Sequence, residues 1–337
     1  MIKVSIIVCA FNEELRIKDC LESIKPQIFN NFEYELLIID NESSDKTEII
    51  CNKFVEESKS EINIRYMRIK HVALSKSRNL GISNTTGDKI IFIDADAKAD
   101  KNWLVEILTG FESPKVDIVS GKIRNLNSES SFAQFIYKAH FESLVLEDKT
   151  QVLKQGASNM VGANMAFKRI VFDKIGGFFD HIQYRGDETA VVTAYFQMCP
   201  ERREKYVSTS IVYNEHATNL SIWLGQQYSE GKSYANILSI TNQINIKNHL
   251  KSLVRAGNII FLFLFPFSIF NIVWLIIFSV FPLVRYGYRY KFILKSFIET
   301  KKELGFIKAI LTFPTIIIGT IALDLGYLKE IFSFKQK

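Results

Sequence analysis

Val4-Ser5-Ile6-Ile7-Val8-Cys9-Ala10-Phe11-Asn12-Glu13-Glu14 runs through seven residues that are apolar at nearly every position and then turns abruptly polar and acidic. A strand with one wet face alternates; a strand apolar throughout is covered on both faces, as in a parallel sheet with helices on either side. The pattern recurs. Residues 4–10, 34–40, 62–67 and 89–94 read as strands, and residues 13–24, 45–58 and 74–83 as helices between them. The spacing predicts an α/β fold with an open, mainly parallel sheet flanked by helices.

Ligands of such sheets bind at the carboxyl ends of the strands, so the residues just past each run carry the information. They are Phe11-Asn12-Glu13-Glu14, Asp40-Asn41-Glu42-Ser43-Ser44-Asp45 and Asp94-Ala95-Asp96. Three strand ends converge on one acidic crevice. Asp94 and Asp96 offer hard oxygens suited to Mg²⁺ or Mn²⁺ on a diphosphate, although an isolated Asp-x-Asp is usually an ordinary acidic turn. Asp40 ends its strand where a carboxylate can accept hydrogen bonds from a base or ribose, while Ser43, Ser44 and Asp45 read as a cap on the next helix. Arg78, in Lys76-Ser77-Arg78-Asn79-Leu80-Gly81, is suited to a diphosphate or else lies on a solvated face. No Gly-x-Gly-x-x-Gly and no phosphate-loop motif appears, which disfavours a dinucleotide-dependent dehydrogenase.

From about residue 113 the alternation fades, with helices expected over 130–146 and 188–198 and a strand over 161–167. The net charge of +6 is unevenly placed: residues 251–337 hold 12 Lys and Arg against 4 Asp and Glu, leaving 30 against 32 before them. A basic excess confined to the last quarter argues against a nucleic-acid partner and for an anionic membrane surface. Residues 258–284 are almost uncharged, longer than the roughly 20 residues that span a bilayer. Lys and Arg flank that stretch on both sides, which a re-entrant hairpin near Asn271 would reconcile. A second apolar stretch, 306–323, carries Pro314 and is expected to end at Asp324. Cys9, Cys20, Cys51 and Cys199 form no CxxC pair, so neither a cysteine metal site nor a disulfide framework is expected. The strand-like run entered at residues 1–4 is too brief for a signal segment, with Glu13 and Glu14 close behind, so the main domain is expected to stay in the cytosol.

The four motif stretches, Val4 to Glu14, Ile38-Ile39-Asp40-Asn41-Glu42-Ser43-Ser44-Asp45-Lys46-Thr47, Ser77-Arg78-Asn79-Leu80-Gly81 and Phe92-Ile93-Asp94-Ala95-Asp96, together resemble the nucleotide-binding half of the family-2 glycosyltransferases, a GT-A-fold family. The resemblance continues through Gly162-Ala163-Asn164-Met165-Ala166-Phe167 and Gly176-Gly177-Phe178 and covers roughly residues 1–235. It implies that the donor lies against Ala10, Asn12, Glu14, Asp40, Arg78, Asp94 and Ala95, with Asp40 on the base and Arg78 near the diphosphate. It implies Gly162, Ala163 and Asn164 on the acceptor side, and Asp96 with His216 as metal ligands for Mn²⁺ or Mg²⁺. The family's catalytic base comes from a Glu-Asp pair after a glycine; here Gly186-Asp187-Glu188-Thr189 has the reverse order, so position favours Glu188 and residue type favours Asp187. The Gln-x-x-Arg-Trp signature of the processive members is absent from Trp223 to Lys232, which implies one sugar per binding event.

These readings predict a glycosyltransferase domain over 1–235, a basic linker over 236–255 and a membrane-associated region over 256–337. The expected activity is inverting, metal-dependent transfer of one sugar from a nucleotide-diphosphate sugar to a membrane-proximal acceptor, a polyprenyl-linked saccharide or lipid, in cell-envelope or exopolysaccharide synthesis. Rival readings are an inactive membrane scaffold, which the reversed acid pair favours, and a nucleotidyltransferase, which the acidic turn after the first strand disfavours.

Overall fold

The structure is a computed structural model that describes residues 3–27, 33–127, 129–142, 149–153, 160–180, 182, 186–240, 254–257 and 290–333. The long apolar stretch expected over 258–284, with its hairpin at Asn271, lies outside the described residues. The chain divides into two compact units, one of residues 1–127 and 145–215, the other of 128–144 and 216–337.

The first unit alternates strand and helix as its burial pattern demands. β1 (Lys3–Ala10) leads to α1 (Ile17–Ile24), β2 (Glu33–Asp40) to α2 (Thr47–Ser58), and β3 (Ile64–Arg68) to α3 (Leu74–Ser83). β4 (Lys89–Phe92) and the short β5 (Lys98–Ala99) precede α4 (Trp103–Thr109) and β6 (Val116–Asn125). β7 (Gln151–Val152), β8 (Met165–Lys168) and β9 (Arg203–Asn214) complete the sheet. α5 (Ser131–Ile136) belongs to the second unit, whereas α6 (Arg169–Ile175) and α7 (Asp187–Met198) flank the sheet.

The strand order is β3-β2-β1-β4-β8-β6-β9-β5, with β7 on β9. β3, β2, β1 and β4 are parallel and in register from Ala10↔Asp40 and Asp40↔Arg68. Beyond β4 the sheet is mixed: β8 runs antiparallel to β4 and β6, β6 and β9 are parallel, and β5 and β7 are antiparallel to β9. The expected mainly parallel sheet is thus corrected to a mixed one. A continuous apolar run records that both faces are covered, and β8 is as buried as β4 while pointing the other way; direction leaves no mark on that pattern. The core beneath the strand ends is aromatic, with Phe92, Phe167, Phe172 and Phe178 packed edge to face or tilted at centroid distances of 4.9–6.3 Å.

In the second unit α8 (Leu220–Ile240) lies along the last helix, so it belongs with the C-terminal residues and the boundary falls at Glu215. α9 (Tyr290–Leu304) and α10 (Phe306–Ser333) follow, joined at Gly305, whose φ of 90° an L residue adopts only under strain. Gly231 faces the backbone of Leu323, and Gly326 that of Tyr228, so closely that a Cβ at either would strike a carbonyl oxygen. Glycine at both positions therefore lets the two backbones touch. α10 also passes straight through Asp324, where the sequence pattern predicts an end. The carboxylate is fully buried and paired at 3.1 Å with Arg255, itself stacked at 4.2 Å and 5.0 Å over Tyr327 and Tyr234, so the charge is neutralised inside the unit.

Candidate active site

The turns after β1 and β2 are knitted into one ledge. The backbone amides of Asn12, Glu13 and Glu14 donate to Ser43 Oγ, Thr47 Oγ1 and Asp45 Oδ2 at 2.8–3.0 Å. In return Asn12 Oδ1 accepts from the Ser44 amide and Glu14 Oε2 from the Lys46 amide. Asn12 (φ 57°) and Glu42 (φ 64°) both hold left-handed backbone here, a conformation asparagine tolerates and glutamate pays strain to adopt. The expected cap at Ser43, Ser44 and Asp45 is therefore mostly a tie between two loops; Asp45 alone also bonds the Thr47 amide at the start of α2. The Asn12 and Glu14 side chains, expected to meet the donor, bond this ledge.

Asp40 is fully buried and bonded on its own sheet. Its Oδ1 accepts from the Ser43 amide at 2.9 Å, and its Oδ2 from Tyr66 Oη at 2.7 Å and Arg68 Nη1 at 3.2 Å. Tyr66 and Arg68 were missed because β3, the edge strand of the sheet, mixes polar residues into its run, Ile64-Arg65-Tyr66-Met67-Arg68, and its end carries no acidic motif. The signal available was register: β2 and β3 are parallel, and residues 66 and 68 fall opposite 38 and 40. At the neighbouring strand end Phe11 and His71 pair their rings at 4.5 Å.

Arg78 is turned inward onto two carboxylates. From α3 its guanidinium, only 3% exposed, donates through Nη1 to both oxygens of Asp187 at 2.7 and 2.8 Å and through Nη2 to Asp94 at 3.3 Å. Phe92 and Phe178 lie under it at 5.9 and 5.5 Å, and Gly162 leaves room for it, since a Cβ there would come 2.6 Å from Nη2. Burial alone would lower the Arg78 pKa; the Asp187 and Asp94 charges outweigh it and raise the pKa.

That pairing splits the Asp187-Glu188 acids at the start of α7, after Gly186 in left-handed backbone (φ 95°). Asp187 is committed to Arg78. Glu188 is left half-buried, and its carboxyl is pushed well above the usual range by burial, by the Asp187 charge and by a hydrogen bond with Asp187, with Arg78 opposing. Asp187 is thus held in a bidentate pair, whereas Glu188 stands outside that pair with a carboxyl of raised proton affinity, an asymmetry suited to a general base.

Asp94 and Asp96 sit at the end of β4 with Ala95 buried between them. Glu13 lies close enough that burial, followed by the charges of Asp96, Asp94, Asp45 and Glu215, lifts its carboxyl to about 7. Arg16, ion-paired with Glu215, supplies one compensating charge. The donor set is all hard oxygen under an excess of negative charge, and that fits a divalent cation at Asp96. Among the described residues no cluster of three or more His, Cys, Asp or Glu side chains is arranged as a preformed cage. His216, the other expected ligand, begins the second unit, where its ring packs 5.0 Å from Tyr137.

Of the acceptor-side motif, Ala163 and Asn164 are fully buried. Asn164 Oδ1 accepts from Trp103 Nε1 at 2.9 Å, and Nδ2 donates to the carbonyls of Lys122 and Ser210 at 3.0 and 2.9 Å. A saturated amide ties β6, β8, β9 and α4 together, so this side chain holds the sheet and does not face an acceptor. Ala10 is likewise buried within β1.

An open α/β sheet takes its ligands at the carboxyl ends of its strands, where the acidic residues are grouped here. The family description "Glycosyl transferase family 2" matches residues 5–176, just over half of the chain, and the chain belongs to that family. Glycosyltransferase AglE of Haloferax volcanii is 25% identical over 185 residues, covering 55% of this chain and 58% of that one. A Methanococcus voltae dolichyl N-acetyl-α-D-glucosaminyl phosphate 3-β-D-2,3-diacetamido-2,3-dideoxy-β-D-glucuronosyltransferase is 31% identical over 141 residues, 40% of this chain and 44% of that one. The chain thus spans about half the length of these curated relatives. Among solved structures, the Pyrobaculum calidifontis mannosyltransferase PcManGT with GDP-Man and Mn²⁺ superposes with a TM-score of 0.60 at 15% identity, covering 98% of this chain and 87% of that one. S. aureus TarS 1–349 with UDP gives 0.54 at 15% identity over 99% and 92%. At these identities the likeness establishes the fold.

Proposed function

We propose that this protein transfers one sugar, with inversion, from a nucleotide-diphosphate sugar to an acceptor at a membrane face, using Glu188 as general base. The observation that carries the reading is the asymmetry of the acid pair: Arg78 holds Asp187 in a bidentate pair, while Glu188 stands outside that pair and its carboxyl is pushed above the usual range. Glu188 takes the proton of the acceptor hydroxyl as its oxygen bonds to the anomeric carbon, and the bond from that carbon to the nucleoside diphosphate breaks on the opposite face. Asp187 positions Arg78 through its bidentate pair. Asp94, paired with Arg78, is oriented toward the donor, and Asp96 would hold the cation. A divalent ion there supplies charge neutralisation for the departing diphosphate. With the acids in reversed order, the best support for an inactive scaffold, Arg78 pairs with Asp187 and Glu188 is still left to accept a proton.

The membrane placement rests on the second unit. α10 is long and apolar enough to cross a bilayer, and only 29% of an apolar 18-residue window within it is buried in the protein. Exposed Lys301 and Lys302 precede Phe306 and Ile307, the latter 78% exposed, an amphipathic border suited to anionic headgroups. A lipid-linked acceptor would share that bilayer with the enzyme, in keeping with the dolichyl-linked substrate in the Methanococcus relative's name.

The test is release of nucleoside diphosphate by the detergent-solubilised chain over a panel of nucleotide sugars, with Mn²⁺, Mg²⁺ or chelator and with or without polyprenyl-linked acceptors. Turnover of one donor that needs the metal and rises with the lipid supports the reading. Turnover on water-soluble acceptors alone removes the membrane-face acceptor, and silence across the panel removes the enzyme.

A further inference from the structure

Asp40 is not an open acceptor in this structure. Three donors hold it: the Ser43 amide at 2.9 Å, Tyr66 Oη at 2.7 Å and Arg68 Nη1 at 3.2 Å. They differ in freedom. The first is backbone and the second a half-buried phenol, whereas Arg68, the last residue of β3, has a side chain 37% exposed. Arg68 also has other partners, donating to Glu48 Oε2 at 2.6 Å through Nη1 and to the Ser43 carbonyl at 3.0 Å through Nη2. Its bond to Asp40 is the longest of the three. Leaving Asp40 therefore costs Arg68 one contact and no neutralisation, because Glu48 remains.

We infer that Arg68 is a built-in competitor for the Asp40 carboxylate, and that a nucleobase N–H reaches Asp40 only when the guanidinium releases Asp40 and stays on Glu48 alone. The inference rests on the reading that Asp40 holds the base. A competitor of this kind divides the intrinsic affinity by the fraction of molecules in which Asp40 is open, and that fraction is a property of the protein, not of the ligand. Every nucleotide that uses Asp40 is weakened by the same factor, and inorganic diphosphate, which has no base, is not weakened at all. Two charged residues on α2 and β3 would then set donor affinity without touching the donor.

The experiment is calorimetric titration of the full chain, in detergent with Mn²⁺, with UDP, GDP and inorganic diphosphate. Arg68→Met should tighten UDP and GDP by one common factor of roughly 2 to 5, the size expected for a partly exposed ion pair. Glu48→Gln, which leaves Arg68 no other carboxylate, should loosen both, and neither change should alter diphosphate binding. If Arg68→Met weakens nucleotide binding, leaves it unchanged, or shifts UDP and GDP by different factors, Arg68 is not a competitor. Asp40→Asn separates the premise from the inference. If it leaves UDP and GDP affinity intact, the base-site reading itself fails; if it abolishes binding while Arg68→Met does not tighten it, only the competitor fails.

Discussion

Replacing each acid of the Asp187-Glu188 pair by its amide should separate chemistry from stability. Glu188→Gln keeps the volume and removes the proton acceptor. A general base contributes about 10²- to 10⁴-fold, so roughly 3–5 kcal/mol of barrier should return and kcat fall accordingly. The same change should not unfold the protein. Glu188's folded-state pKa is raised, so the folded form holds the proton through a window in which the unfolded chain has released it. Stability therefore falls as pH rises from the ordinary carboxyl pKa through the raised one, and the amide removes that loss. The Tm of Glu188→Gln at neutral pH should equal or exceed that of the native protein. Asp187→Asn should do the opposite: it strips the bidentate bond from a guanidinium that is 3% exposed, leaving Asp94 at 3.3 Å. Breaking a buried pair costs about 3–5 kcal/mol, and Asp94 keeps the cost near the lower end, so Tm should drop by roughly 6–12 °C. Paired thermal melts and initial-rate assays read both effects. If Glu188→Gln keeps activity within about tenfold of the native protein while Asp187→Asn loses it with no fall in Tm, the roles of the two acids are reversed.

Further outcomes follow from the same geometry. Asp96→Asn should lower metal-dependent turnover at least about 100-fold with little change in Tm, and a Mn²⁺ titration that saturates at the native concentration would contradict its role as ligand. Asn164→Ala leaves Trp103 Nε1 and the carbonyls of Lys122 and Ser210 without their buried partner, and denaturant unfolding should show a loss of about 2–4 kcal/mol. Gly326→Val should force α8 and α10 apart and lower the Tm of the detergent-solubilised chain, whereas Gly225→Val, where a Cβ meets nothing, should not through packing. Charge reversal at Lys295, Lys301 and Lys302 should reduce flotation with anionic vesicles and leave flotation with neutral ones nearly unchanged.

Where the sequence pattern carried burial, it carried the fold. The runs before Phe11, Asn41 and Asp94 became β1, β2 and β4 within a few residues, because unbroken Val and Ile admit only a doubly covered strand. β6 escaped notice: Asp117, Ser120 and Lys122 interrupt its apolar run, yet all three are buried, with Asp117 held by Tyr195 at 2.7 Å, Lys168 at 2.9 Å and Arg202. Their partners lie tens of residues away, and no local window sees them. Continuation of α10 through Asp324 was hidden for the same reason, since Arg255 is 69 positions earlier. Motifs located the site's carboxylates but not their partners. Whether Arg78 faces a diphosphate or an acid, and whether Asp40 is open or covered, depends on side chains that arrive from other strand ends.

The anomeric configuration of the product tests the account most directly. Once the donor screen names a sugar, proton NMR of the product made by the native chain, with Glu188→Gln alongside, reports both the stereochemistry and the base. The account predicts a product linkage opposite in configuration to the donor, formed at once without an intermediate, and almost none from Glu188→Gln. Retention of configuration, or full product from Glu188→Gln, would contradict it.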